Sequence, residues 1–142
     1  MEIPLQVRNV AESTRIVYRA FVSSDSLDMK GLVEFIVDTG SPITLISLKD
    51  RERMRISKIK MNSINVKNNP ITIGGGEVNS KIIRDVIIRM GNFSSEMPIQ
   101  IVADSTGTSS HPSILGVDFL LENKLKLVFD PTNNKAFFES VD

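Results

Sequence analysis

Apolar residues in this chain come in short runs, and no feature constrains the fold more. Ile16 to Val22, Leu32 to Val37, Thr44 to Ile46, Ile64 to Val66, Pro70 to Ile73, Ile82 to Met90, Met97 to Val102, Leu125 to Phe129 and Lys135 to Glu139 are mostly β-branched, aliphatic or aromatic, and Gly, Ser, Asn and Asp clusters separate them. That spacing predicts many short strands. Hairpin loops are expected over Ser23 to Lys30, Gly91 to Glu96 and Pro131 to Asn134, and a turn over Lys67 to Asn69. Ser47 to Met54 is expected to form one or two helical turns, with Ser47 as N-cap and Asp50 at the capping-box position. Gly116 to Glu122 is expected to be a second short helix, and Asp104 to Ser113 a polar loop. Nothing marks a domain boundary, so residues 1–142 are expected to form one mainly β domain, a barrel or sandwich with one or two short helices. A faint internal echo runs through it. Two strands lead to Asp38 and then to Thr44–Ile46, and two more lead to Asp104 and then to Ser113–Leu115.

Composition narrows the chemistry. The chain's 142 residues can enclose a real core. Lys plus Arg (17) equals Asp plus Glu (17), so charge offers no case for nucleic acid or membrane as a partner. The absence of cysteine excludes disulfides, thiol catalysis and cysteine metal sites. No basic start leads into an apolar segment, and no apolar run reaches the length of a membrane span, so a cytoplasmic protein is expected. The chain opens on Met1 and closes soon after its last strand, so a free-standing protein is expected rather than a domain cut from a polyprotein.

The segment Phe35 to Ser47, FIVDTGSPITLIS, carries the chemistry. Three apolar residues deliver Asp38 to the end of a strand, and burial of a lone carboxylate is costly. Gly40 permits a tight turn that can aim backbone N–H groups at the acid, and the hydroxyls of Thr39 and Ser41 can add donors. As a bare string D-T-G is weak, arising by chance in about 3% of chains this long. The apolar strand before it and the β-branched residues after it make it stronger.

In that context the chain resembles the retropepsin-type aspartic proteases, closer to cellular or prokaryotic single-domain members than to viral ones. Three features carry the likeness, in the family's order: Ile36 to Ser41, the glycine-rich ITIGGGEV at Ile71 to Val78, and SILGVDFL at Ser113 to Leu120. The resemblance implies a mainly β, single-lobe, closed acid-protease barrel. It implies Asp38 as the catalytic residue, with Thr39, Gly40 and Ser41 supporting it and Ser41 holding the outer carboxylate oxygen. It implies a flap at Ile73, Gly74, Gly75 and Gly76, and a ψ-shaped motif closed by Ile114, Leu115 and Gly116. The acid–arginine pair usual in viral members is missing, since Pro42 or Ile43 and Val117 stand in its places. Ser41, where viral members have Ala, points to a lowered pair of pKa values and an acidic pH optimum.

Hydrolysis of this type needs two carboxylates sharing one proton. Asp104 heads a D-S-T-G string with one residue too many, placed before the second motif, and is a poor partner. A two-fold axis supplies the alternative, with Asp38 meeting its own copy. The expectation is therefore a homodimeric aspartic endopeptidase acting on extended peptide or unfolded protein, with no cofactor and no metal. The sequence leaves the dimer interface open between the interleaved terminal strands of the viral type, for which Met1 to Val7 and Ala136 to Val141 are available, and the different arrangement of the cellular type. The rival expectation is a catalytically silent dimeric peptide-binding or scaffold module on the same fold. Three further candidates fail. Lys81 after the triple glycine lacks the rest of a phosphate loop, His111 stands without a second ligand, and no nucleophile elbow is present.

Overall fold

The computed structural model describes residues 1–63, 68–73, 76–105 and 111–141. Its elements in chain order are β1 (Glu2–Val10), β2 (Ser13–Ser24), β3 (Met29–Val37), β4 (Leu45–Ile46), α1 (Leu48–Arg53), α2 (Lys58–Ser63), β5 (Asn68–Ile73), β6 (Gly76–Met90), β7 (Phe93–Ser105), β8 (Ser113–Leu115), α3 (Val117–Asn123), β9 (Leu125–Asp130) and β10 (Lys135–Ser140). Alternation sets the inner face. Ala20, Val22 and Ser24 of β2, Val33 and Phe35 of β3, Val86, Ile88 and Met90 of β6, and Met97, Ile99 and Ile101 of β7 are all buried. Their neighbours on the same strands point the other way, as the two-residue period of a strand requires.

The pairings close a ring. β2 pairs with β3, β3 with β8, β8 with β4, β4 with β7, β7 with β6, and β6 returns to β2. Outside the ring, β1 joins β2 to a C-terminal hairpin in the order β2-β1-β10-β9, and β5 lies on the far edge of β6. The pairings thus close the β-barrel that the motifs imply. Among the described residues no helix is long and apolar enough to cross a membrane.

Several expected boundaries move. The Gly91–Glu96 loop shrinks to two residues, because Met90 already pairs with Phe93. Gly91 at φ 62° supplies the left-handed first position that such a tight hairpin needs. Asn68 and Asn69 belong to β5 rather than to a turn, while Lys67 and the expected strand Ile64–Val66 lie outside the described residues. Of the expected polar loop, Asp104 and Ser105 belong to β7 and Ser113 to β8, while residues 106–110 lie outside the described residues. The terminal segments do not stand ready to interleave with a second chain. Glu2 to Leu5 pair with Ala136 to Glu139 within the same chain.

Candidate active site

β3 ends at Val37, and the chain turns at once. The Asp38 N–H donates to the Leu115 carbonyl (3.0 Å), and the Ser41 N–H donates back to the Asp38 carbonyl (3.1 Å). The Gly40 N–H donates to Asp38 Oδ1 at 2.9 Å. Asp38, Thr39 and Gly40 are exposed, so the strand carries the acid to the rim of the barrel. One expectation is corrected here. The Ser41 hydroxyl donates to the Ile43 carbonyl (2.8 Å), not to the Asp38 carboxylate. A serine two residues before a carbonyl can close such a local ring, and the acid's own turn is already satisfied by backbone. The basis for an acidic optimum is therefore absent from the single chain.

The loop is pinned from the other side of the ψ crossing. The Val117 N–H donates to the Ser41 carbonyl at 2.8 Å. Gly116 explains how two backbones come so close. A Cβ there would collide with the Ile43 carbonyl and stand 2.8 Å from the Ser41 carbonyl oxygen. Thr44, fully buried, donates its hydroxyl to Asp118 Oδ1 (2.6 Å) and its N–H to Asp118 Oδ2 (3.0 Å). That hydroxyl also accepts the Gly116 N–H (3.1 Å).

The second half repeats this device. Ser113 accepts the Ser47 N–H (2.9 Å) and donates to Asp50 Oδ2 (2.5 Å). In each half a hydroxyl sits at the start of a short strand, Thr44 just before β4 and Ser113 as the first residue of β8. It accepts from the residue capping the opposite helix and donates to an acid in that helix's first turn. Ser47 caps α1 as expected, its Oγ accepting the Asp50 N–H, but the return half of the capping box runs through Ser113. Thr44–Ile46 thus corresponds to Ser113–Leu115, and Leu45 pairs with Ile114.

This correspondence locates the counterpart of Asp38. Leu115 stands opposite Val37 in the β3–β8 ladder, and Ile46 stands opposite Ile101 in the β4–β7 ladder. The residue after Val37 is Asp38; the residue after Ile101 is Val102, which is fully buried. Asp104 lies two residues further, where β7 still pairs with β6 opposite Asn79. The Val102 carbonyl and that of Ala103 instead receive Nη1 of the buried Arg51 (3.3 and 2.6 Å).

Of the expected flap, Ile73 and Gly76 face each other at the end of the β5–β6 ladder, while Gly74 and Gly75 lie outside the described residues. Ile114 and Leu115 form β8, and Gly116 caps α3, as the ψ motif implies. Sequence reasoning placed Asp50 only in a capping box and assigned no role in the site to Thr44, Asp118, Ser113 or Arg51. The available signal was a hydroxyl before two aliphatic residues, with an acid shortly beyond, occurring twice.

A barrel crossed by its own chain, with one acid presented at the crossing, defines the class of single-lobe acid proteases. The aspartyl protease family model matches residues 28–119, and the chain belongs to that family. No curated protein sequence matches it. Among solved structures it is similar to a retropepsin-like aspartic protease from Rickettsia conorii, at 18% identity and a TM-score of 0.61, over 99% of this chain and 91% of that one. It is also similar to the EIAV protease complexed with the inhibitor HBY-793, at 16% identity and a TM-score of 0.50, over 86% of this chain and all of the other.

Proposed function

We propose that this chain is one subunit of a homodimeric aspartic endopeptidase, with Asp38 of each copy forming the catalytic pair. A single observation carries this. The place in the second half that corresponds to Asp38 is held by Val102, buried and without a titratable group. One lobe therefore brings one acid, and a two-fold axis is the economical source of the other. One carboxylate acts as general base on a water, while the other, protonated, polarises the scissile carbonyl. Their titration belongs to the pair and not to either residue.

Around this pair, Thr39, which is exposed, reaches the second copy and braces the dyad. The β5–β6 hairpin, whose ladder runs to Ile73 and Gly76, closes over an extended peptide and excludes water. The substrate lies as an added strand, recognised through its backbone with side chains in alternate pockets. The test is cleavage of an unfolded protein across pH by wild type and Asp38→Asn. Wild type is expected to cleave, and the variant to lose all activity while staying folded and dimeric. Equal cleavage by both proteins would end the proposal. So would a wild type inert at every pH, which would favour a silent binding module.

A further inference from the structure

Charge is balanced over the whole chain but not evenly spread. Leu48 to Ser63, the span of α1 and α2, holds six bases against two acids, leaving eleven bases against fifteen acids elsewhere. α1 lies against the flank of β3, where Arg53 Nη2 donates to the Leu32 carbonyl. On this outer wall of the barrel, an open pocket of about 390 Å³ is lined by Arg19, Leu32, Glu34, Asp50 and Arg53.

Both acids of the pocket are occupied. Asp50 Oδ1 accepts from Arg53 Nη2 at 3.0 Å, and Oδ2 accepts the Ser113 hydroxyl at 2.5 Å. Glu34 Oε1 lies 2.5 Å from Arg8 Nη2. Arg19 stands directly opposite Glu34 in the β2–β3 ladder, yet Glu34 leans to Arg8 instead. Among the described residues Arg19 has no ion pair, so the pocket holds one cation beyond its paired charges. The wall beside it is apolar. Strand alternation puts Phe21 and Leu32 on the same outward face as Arg19 and Glu34, and the two stand opposite each other in the ladder. Leu32 is 48% exposed. Arg89 of β6 faces Phe21, its guanidinium 6.0 Å from the ring centre. Arg19, Arg53 and Arg89 thus surround an exposed apolar strip.

We propose that this pocket docks an acidic segment of another polypeptide, with a carboxylate on Arg19 and an apolar side chain over Phe21 and Leu32. This goes beyond the peptidase reading and does not depend on catalysis. The excess guanidinium sets the sign of the ligand, and its planar fork suits a carboxylate. The strip sets the rest. A simple anion has nothing to lay on Phe21 and Leu32, whereas acidic and apolar side chains two residues apart in an extended segment share one face. Their spacing, about 7 Å, is also that of Arg19 from Phe21 along β2. A continuous anionic surface fits less well, because it would meet Asp50 and Glu34 as well as the arginines.

The test uses the full chain carrying Asp38→Asn, so that cleavage does not enter. A fluorescent peptide of three Glu-Ser-Leu-Ser repeats is titrated by anisotropy, beside the same peptide with Gln for Glu. The Glu peptide is expected to bind at least about tenfold tighter at low salt, an advantage that shrinks as ionic strength rises. Arg19→Gln is expected to raise its dissociation constant at least about tenfold. Arg84→Gln removes the same charge from an exposed place on β6 outside the pocket, and is expected to change it less than about twofold. Leu32→Ser is expected to weaken both peptides about threefold. Thermal melts check that each variant is folded. Equal affinity for the two peptides, or equal effects of Arg19→Gln and Arg84→Gln, overturns the proposal. So does displacement of the peptide by inorganic phosphate at concentrations near the peptide's own dissociation constant, which would make the pocket a site for simple anions. Binding to phosphatidylserine vesicles that Arg19→Gln abolishes, with no binding of the Glu peptide, overturns it in favour of a lipid surface.

Discussion

Thr44-Leu45-Ile46-Ser47 and Ser113-Ile114-Leu115-Gly116 occupy matching places in the two halves of the barrel, yet they serve loops with different duties. Both use a buried hydroxyl to tie a short strand to the opposite helix. In the first half the tied segment follows Asp38 and Gly40, with the acid exposed. In the second, the matching strand carries Val102 inward, and Arg51 fastens its carbonyls from α1. The brace therefore belongs to the barrel, while the acid is an addition to one copy of it. On the homodimer proposed above, each chain supplies the brace twice and the acid once.

The sharpest way to break that comparison is at the two helix caps. Gly116→Ala places a methyl group against the Ile43 and Ser41 carbonyls, backbone that cannot step aside. The loss is expected to reach about 3 kcal/mol or more, or to prevent folding. Ser47→Ala, at the matching cap, removes a side-chain bond to the Asp50 N–H and should cost about 1 kcal/mol. Denaturant unfolding of both variants measures the difference. Equal costs would mean that the ψ crossing is not as tight as its geometry.

Next come the two hydroxyls. Thr44→Val strands the buried Gly116 N–H and removes the hydroxyl tie to Asp118, leaving only the backbone N–H on that carboxylate, for an expected loss of about 2–3 kcal/mol. Ser113→Ala should cost about 1–2 kcal/mol, because Asp50 keeps Arg53 at 3.0 Å. Activity should separate them further. Thr44 holds the loop that presents Asp38, so kcat is expected to fall about 10- to 100-fold in Thr44→Val. Ser113→Ala should keep most of its kcat under conditions where both variants remain folded. Equal losses in kcat would show that the halves contribute alike to the site.

Much of this was legible from residue order. Short runs of Ile and Val with polar breaks fix strands whatever surrounds them, and D-T-G-S after an apolar strand has few structural uses. Loop extents were harder, because Asp104 and Ser105 are polar yet sit in a ladder with β6, where backbone pairing outweighs side-chain preference. The pairing of β1 with β10 joins residues at opposite ends of the chain, and no local pattern announces it. The echo between the halves was visible as topology only. Its chemical content, a hydroxyl answering an acid on the other half's helix, needs the two segments side by side.

A smaller effect lies within the active loop. The Ser41 hydroxyl has no part in holding the Asp38 carboxylate in the single chain, since its proton goes to the Ile43 carbonyl. Ser41→Ala is expected to cost about 1 kcal/mol and to leave the acidic limb of the pH–rate profile within about half a unit of wild type. An upward displacement of that limb by a full unit would mean that the hydroxyl turns to the carboxylate when the second copy arrives.

The smallest effect concerns the hairpins that close the ring, where the two halves part company. The β6–β7 hairpin turns in two residues. The β2–β3 hairpin takes four, tucks Leu27 into the core, and is fastened to β6 through Asp85. That carboxylate accepts the Ser26 N–H (2.9 Å), the Ser26 hydroxyl (2.7 Å) and the Ser24 hydroxyl (2.9 Å). Partial burial pushes its pKa up, but the bonds from Ser26 and Ser24 together outweigh this and hold it below the ordinary carboxylate value. A depressed folded-state pKa contributes stability that is present above the unfolded value, about 4, and is lost as pH falls through the lower folded value. Asp85→Asn should therefore lower Tm by a constant margin near neutrality, and that margin should narrow only below about pH 4. Thermal melts of both proteins from pH 7 to pH 3 measure it. A margin that narrows already between pH 7 and pH 5 would mean that the clasp is not held by an ionised Asp85, and the closure of the ring would then rest on the β2–β6 ladder and Leu27 alone.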